Sequence, residues 1–141
     1  MSRCAFCEIV AGRLPASIVY EDEVSIGFMD IFPVHPGHTL VIPRRHAVDL
    51  VHCPPDIAAH LFSVSAQLAP SIVSATDADG FNVWTANGEE AGQEIFHLHL
   101  HILPRYRSDT FGLRFPKGYP VEANREELEE MAAKIKQAAG I

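Results

Sequence analysis

Apolar and polar residues alternate in several short stretches of this chain, each bounded by proline, glycine or a polar pair. Ile18-Val19-Tyr20-Glu21 and residues 24–30 are strand-like, and the polar Asp22-Glu23 between them predicts a hairpin. Residues 30–37 form a loop punctuated by Pro33, Pro36 and Gly37, after which residues 39–42 make a short apolar strand stopped by Pro43. After Pro54-Pro55-Asp56, Ile57, Leu61, Val64 and Leu68 recur at helical spacing, so a helix with one apolar face follows, which Pro70 is expected to kink or end. Residues 81–85 and 95–103 are two further strands, separated by a polar, glycine-bearing loop over 87–93. Asn124 followed by Glu127 marks an N-cap and opens a helix to about Ala138, with Glu129, Glu130, Lys134 and Lys136 on a solvated face. Strands in meander order with few helices between them predict an α+β domain built on an antiparallel sheet.

At 141 residues the chain has the length of one domain: a core over about 4–105, then a C-terminal extension and helix over 106–141. No apolar stretch approaches the roughly 20 residues that span a bilayer, and the first residues hold no signal-peptide core, so the expected location is the cytoplasm, with no membrane partner. A net charge of −7 argues against a nucleic-acid partner, whose phosphates need many basic contacts, but leaves room for a small phosphate ligand. Eight histidines are the anomaly of the composition. Three cysteines make an odd count, so Cys4 and Cys7, two residues apart, read as metal or redox chemistry rather than as a disulfide framework. A pair of plain helix cysteines is the bland alternative, and no thioredoxin-like βαβ pattern surrounds them to favour the redox reading.

The run His97-Leu98-His99-Leu100-His101 carries the chemistry. On a strand, the three histidines share one face and Leu98, Leu100 and Ile102 the other, with alternate side chains roughly 6.5–7 Å apart. One histidine there is an ordinary surface residue. Three at strict alternation suit a nucleophile, an acid/base or a metal ligand. A pure three-histidine zinc site on one strand is disfavoured, because alternate ligands converge poorly on a tetrahedral ion.

The segment Gly92-Gln93-Glu94-Ile95-Phe96-His97-Leu98-His99-Leu100-His101-Ile102-Leu103 resembles the histidine triad motif. Upstream, Phe28-Met29-Asp30-Ile31-Phe32-Pro33, Pro36-Gly37-His38-Thr39-Leu40-Val41-Ile42-Pro43 and Arg44-Arg45-His46 resemble the same superfamily, in the same order. The resemblance runs from about Cys4 to Arg105 and lies closest to bacterial members with an N-terminal Cys-x-x-Cys. It implies a five-stranded antiparallel sheet with helices, and a homodimer whose sheets join into one. It also implies binding of purine nucleotides, such as AMP derivatives, and cleavage at the α-phosphorus through a nucleotidyl-histidine intermediate.

By the same resemblance His99 is the nucleophile and His101 its partner at the phosphate or leaving group. Phe28, Asp30, Ile31, Asn87, Gly92 and Gln93 line the nucleotide. Without the family, Asp30 reads as a loop cap before Pro33 and Asn87-Gly88 as a tight turn. The bacterial relatives imply a structural zinc held by Cys4, Cys7, His46 and His97. His52-Cys53 is a competing ligand pair, and His38 a neighbour that supports the active site through hydrogen bonds. The leaving group stays open between nucleoside phosphoramidates and dinucleoside polyphosphates, and a nucleotide-binding scaffold with incidental catalysis is the reading from another class.

Overall fold

The computed structural model describes residues 3–141. The chain divides into two compact units, the first running to Thr110 and the second covering Phe111–Ile141.

The first unit opens with a six-residue helix, α1 (Ala5–Val10). Strands β1 (Ile18–Glu21), β2 (Ser25–Met29) and β3 (Thr39–Pro43) follow, then the long helix α2 (Pro55–Thr76), then β4 (Gly80–Trp84) and β5 (Leu100–Arg105). The strands form one five-stranded sheet in the order β1-β2-β3-β5-β4. Every neighbouring pair is antiparallel. The predicted α+β class and antiparallel sheet are therefore what the chain adopts, and the predicted hairpin is β1–β2.

Strand periodicity sorts the apolar residues to two faces. Leu98, Leu100, Ile102 and Val41 pack with Leu61 and Val64 of α2 on one side. Ile26, Phe28, Leu40 and Ile42 pack with Phe6 of α1 on the other. The histidines lie between the leucines on the α1 side, so the core that seats α2 also aims them at the N-terminal helix.

Two expectations change. Pairing on the histidine segment begins at Leu100, not at residue 95. The partner strand β3 ends at Pro43, so residues before Leu100 turn to the following loop instead: the Leu98 amide donates to the Ala47 carbonyl at 2.7 Å. Nor does Pro70 end the helix; α2 runs on to Thr76. Proline removes one N–H and leaves the carbonyl four residues earlier without its donor. That carbonyl belongs to Ala66, which is exposed like Pro70 itself and so lies on the solvent side, while Leu61, Val64 and Ala69 hold the buried face. With 22 residues and a mean hydropathy of 1.3 over its most apolar window, α2 is also long and apolar enough to cross a bilayer, contrary to the expectation from the sequence. One face of it, Leu61, Val64, Ser65 and Ala69, is buried against the sheet.

The second unit consists of an irregular stretch and α3 (Arg125–Ala139). Asn124 caps α3 by accepting from the Glu126 amide at 2.8 Å. Glu126 and Glu127 at its start and Lys136 at its end complement the helix dipole.

Candidate active site and metal centre

Cys4 caps α1 and Cys7 sits in its first turn, where the Cys7 amide donates to the Cys4 sulfur at 3.3 Å. His46 comes from the loop after β3 and His97 from the segment before β5. The structure brings these four residues together, with all ligand atoms within 4.8 Å of one another. His46 Nδ1 lies 3.2 Å from His97 Nδ1, and the sulfur–nitrogen distances are 3.3 Å (Cys7–His46), 3.4 Å (Cys4–His97) and 3.5 Å (Cys7–His97).

A tetrahedral zinc, with bonds of about 2.3 Å to sulfur and about 2.05 Å to nitrogen, would set N–N near 3.3 Å and N–S near 3.6 Å. The donor set fits that ion. The other ring nitrogen of His97, Nε2–H, donates to the Pro43 carbonyl at 2.9 Å, which leaves Nδ1 with a free lone pair facing the sulfurs. Burial holds the His97 imidazole below its ordinary pKa, hence neutral. Burial also pushes the Cys7 thiol up to about 11, with Cys4 adding to the shift. A bound cation would favour the Cys7 thiolate against that shift. The competing pair is elsewhere: His52 bonds Asp49 at 2.7 Å, and Cys53 is buried in the core against α2.

His99 is buried, and its Nδ1–H donates to the His97 carbonyl at 2.7 Å. A carbonyl only accepts, so the proton is on Nδ1 and the lone pair on Nε2. Burial lowers the pKa of His99, against smaller opposing effects of that hydrogen bond and of Asp30. The ring packs edge-on against Phe6, at 5.2 Å between centroids.

His101 faces His38, with His38 Nε2 and His101 Nδ1 2.9 Å apart. The Val34 amide donates to His38 Nδ1 at 3.2 Å, so His38 carries its proton on Nε2 and donates it to His101. His101 must then hold its own proton on Nε2, pointing away from His38. Asp30, His38 and His101 stand close enough to suggest a second cation site, but a His38 Nε2 that carries a proton has no lone pair for an ion. Trp84 lies flat on His101, with centroids 4.4 Å apart and planes 3° from parallel. Burial, helped by the charges of His99 and His38, takes the His101 pKa down to about 3.

Residues 11–108 match the HIT domain family. The chain belongs to the HIT, or histidine triad, family. It is 38% identical over 133 residues to "Protein hit" of Bacillus subtilis, covering 94% of this chain and 91% of that protein. It is 41% identical over 106 residues to adenylylsulfatase HINT3 of Arabidopsis thaliana, covering 75% of this chain and 54% of that one. A zinc-bound histidine triad protein from Mycobacterium smegmatis superposes with a TM-score of 0.74 at 38% identity, covering 96% of each chain. HIT proteins form a superfamily of nucleotide-binding hydrolases, and this chain is one of its members.

The remaining candidate residues of this HIT chain divide by exposure. Ile31 is 84% exposed and free to meet a ligand, whereas Phe28 is 3% exposed and packs on Phe6 under the histidines. Asp30 does two things: Oδ1 accepts from the Phe32 amide at 2.9 Å, as a loop cap, and Oδ2 stands 3.5 Å from His38 Nε2. Asn87 accepts from the Leu50 amide at 2.7 Å and so ties two loops together. The buried Gln93 amide makes bonds of 2.8, 2.6 and 3.1 Å to the backbone of Gly88, Val48 and Ile95, bracing the glycine loop beside the site. Gly92 ends the 3₁₀ turn Glu89–Ala91 at a positive φ of 90°.

Phe6, Trp84 and Thr85 were not singled out for the site by the sequence, although Thr85 Oγ donates to the His99 carbonyl at 2.8 Å. Of these, Phe6 carries a signal in the sequence, its place between the two cysteines. A concavity of about 610 Å³ beside Arg3, Glu8 and Arg13 and another of about 330 Å³ beside Met29, Leu68 and Ile72 have no triad histidine in their walls.

Proposed function

We propose that the protein cleaves purine nucleotide conjugates at the α-phosphorus and releases the nucleoside monophosphate, with nucleoside phosphoramidates as the leading substrate class. The observation that carries this reading is the tautomer of His99. With Nδ1–H held by a carbonyl at 2.7 Å and burial favouring the neutral ring, Nε2 presents a lone pair of fixed direction. That nitrogen forms a bond to the α-phosphorus as the bond to the leaving group breaks; the electron pair departs with the leaving group, whose amine nitrogen takes a proton from solvent. His101, with its free Nε2–H, donates to a phosphoryl oxygen, or to the leaving oxygen of a polyphosphate substrate, as a neutral hydrogen-bond donor. Water then forms the new P–O bond and gives up a proton to solvent, the P–Nε2 bond breaks with its electron pair returning to Nε2, and His99 is again the neutral Nδ1–H ring. Ile31 and Asp30 would meet the base and ribose, with Asn87, Gly92 and Gln93 shaping the phosphate side.

Cys4, Cys7, His46 and His97 would hold a structural zinc, since four protein ligands leave no open position for substrate. Native mass spectrometry should find about one zinc per chain, lost in the double variant Cys4→Ser, Cys7→Ser. The single-domain organisation, the cytoplasmic location, where both thiols stay reduced, and a homodimer with joined sheets complete the proposal. Light scattering tests the dimer.

The Arabidopsis relative is named an adenylylsulfatase, so adenylyl sulfate joins adenosine phosphoramidates and dinucleoside polyphosphates in the test panel. Wild type should turn over at least one class, and His99→Ala should lower its rate by about 10⁴-fold or more. Equal rates for the two proteins on every substrate would remove the enzyme reading and leave the nucleotide-binding scaffold.

A further inference from the structure

We infer that the cysteine–histidine knot positions the nucleophile, and that Phe6 is a positioning residue through which it acts. This rests on the readings that the knot holds zinc and that His99 attacks the phosphorus.

Two separate connections run from the knot to the His99 ring. The first passes through His97. Its Nδ1 faces both cysteine sulfurs, at 3.4 and 3.5 Å, while its own main-chain carbonyl receives the His99 Nδ1 proton at 2.7 Å. One residue therefore offers its side chain to the metal and its backbone to the nucleophile. The Pro43 carbonyl on His97 Nε2 fixes the remaining ring nitrogen, so His97 has little freedom once Nδ1 is bound.

The second connection passes through α1. Six residues are too few to make a helix stable in isolation, so α1 depends on what pins it. Its apolar side, Phe6 with Ile9 and Val10, packs on Ile26, Phe28, Leu40 and Ile42, and the knot adds two pins, Cys4 at its cap and Cys7 in its first turn, with Phe6 between them. The Phe6 ring meets His99 edge-on at 5.2 Å and 85°, His97 at 5.8 Å and 76°, and Phe28 at 5.4 Å and 75°. Closing the knot thus sets a carbonyl on one edge of the His99 ring and an aromatic wall on another. His101 also meets the His99 ring, at 4.9 Å, but its hydrogen bond to His38 and its stack on Trp84 lie outside the knot, so the coupling acts first on His99.

A displacement of about 1 Å at a reacting atom costs on the order of 100-fold in rate. Opening the knot should therefore lower kcat by about 10- to 100-fold and leave KM within about twofold, because ligand contacts such as Ile31 and Asp30 lie outside it. The test uses the full chain, zinc-loaded and labelled with ¹⁵N-histidine. Long-range ¹H–¹⁵N spectra report which ring nitrogen of each histidine carries the proton, with His99 assigned by its absence in His99→Ala.

In the zinc-loaded protein His99 should be the pure Nδ1–H tautomer. Removing zinc with a chelator should convert it to a tautomer mixture and lower kcat while leaving the His38–His101 hydrogen bond in place; added zinc should restore the tautomer and kcat. Phe6→Leu keeps an apolar side chain and the metal ligands. It should retain about one zinc and native circular dichroism, broaden the His99 signals, and lower kcat about tenfold at unchanged KM.

The inference is overturned if zinc-free protein or zinc-loaded Phe6→Leu, folded by circular dichroism, shows the wild-type His99 spectrum and kcat. Should the zinc-free chain unfold, Phe6→Leu alone decides the matter. A chain that takes up no zinc removes the metal reading and this inference together. If zinc-loaded wild type turns over no substrate, the hydrolase reading fails, while the His99 spectrum still decides the coupling.

Discussion

The stacked pair Trp84–His101 makes the charge state of the site readable from outside. Trp84 is the chain's single tryptophan, so all indole emission comes from beside the triad. Its ring lies 4.4 Å from His101 and 3° from parallel, a geometry in which an imidazolium quenches the indole. An ordinary histidine near 6.5 would be about 97% protonated at pH 5. Burial, with the charges of His99 and His38, takes His101 to about 3. At that value about 1% is protonated at pH 5.

The assay is steady-state fluorescence from pH 7.5 to 5 on wild type and His101→Leu, with circular dichroism alongside to confirm the fold. No quenching step should be present in wild type that the variant lacks. A wild-type step with a midpoint near 6.5, absent in His101→Leu, would refute the reasoning that this ring is held neutral. The same shift has a consequence for stability. The unfolded chain binds a proton at residue 101 below about pH 6.5, and the folded chain does so only near 3. Within that window the unfolded state holds more protons, so stability that is present above about 6.5 is lost progressively as the pH falls towards 3.

Two further outcomes test the frame around the site. Pro70→Ala should stabilise the protein by about 1–3 kcal/mol in urea titration, since alanine restores the missing donor to Ala66 within α2; an unchanged midpoint would mean that the helix is already relaxed around the proline. Gly37→Ala should destabilise by about 1–3 kcal/mol in the same titration, because residue 37 has φ +99° and a Cβ there would stand 2.5 Å from Thr76 Cγ2 and 3.3 Å from Pro104 Cγ; native stability would show that the loop before His38 shifts freely.

The division of the histidines shows what periodicity reveals and where it stops. Alternation alone puts Leu98, Leu100 and Ile102 on one face and the three imidazoles on the other, and the structure packs the leucine face against α2. Alternation does not reveal that pairing waits until Leu100, because that depends on where the partner strand ends, nor that α2 passes Pro70, because that depends on which carbonyl faces water. Least visible to periodicity are the partners, which only the family resemblance supplies. His101 meets His38 across 63 residues of chain, and His97 meets Cys4 across 93. These contacts exist only once the sheet has formed.

They also make three identical side chains chemically different. Burial favours the neutral ring in all three, so what separates them is the hydrogen bond made by one ring nitrogen, which decides what the other can do. The Pro43 carbonyl takes the proton of His97 Nε2, and Nδ1 turns a lone pair to the sulfurs. The His97 carbonyl takes the proton of His99 Nδ1, and Nε2 is left with a lone pair fit for attack. His38 donates to His101 Nδ1, and Nε2 is left with a proton to give. A metal donor, a nucleophile and a hydrogen-bond donor thus follow from one repeated residue, because two carbonyls and one imidazole stand at different ring edges.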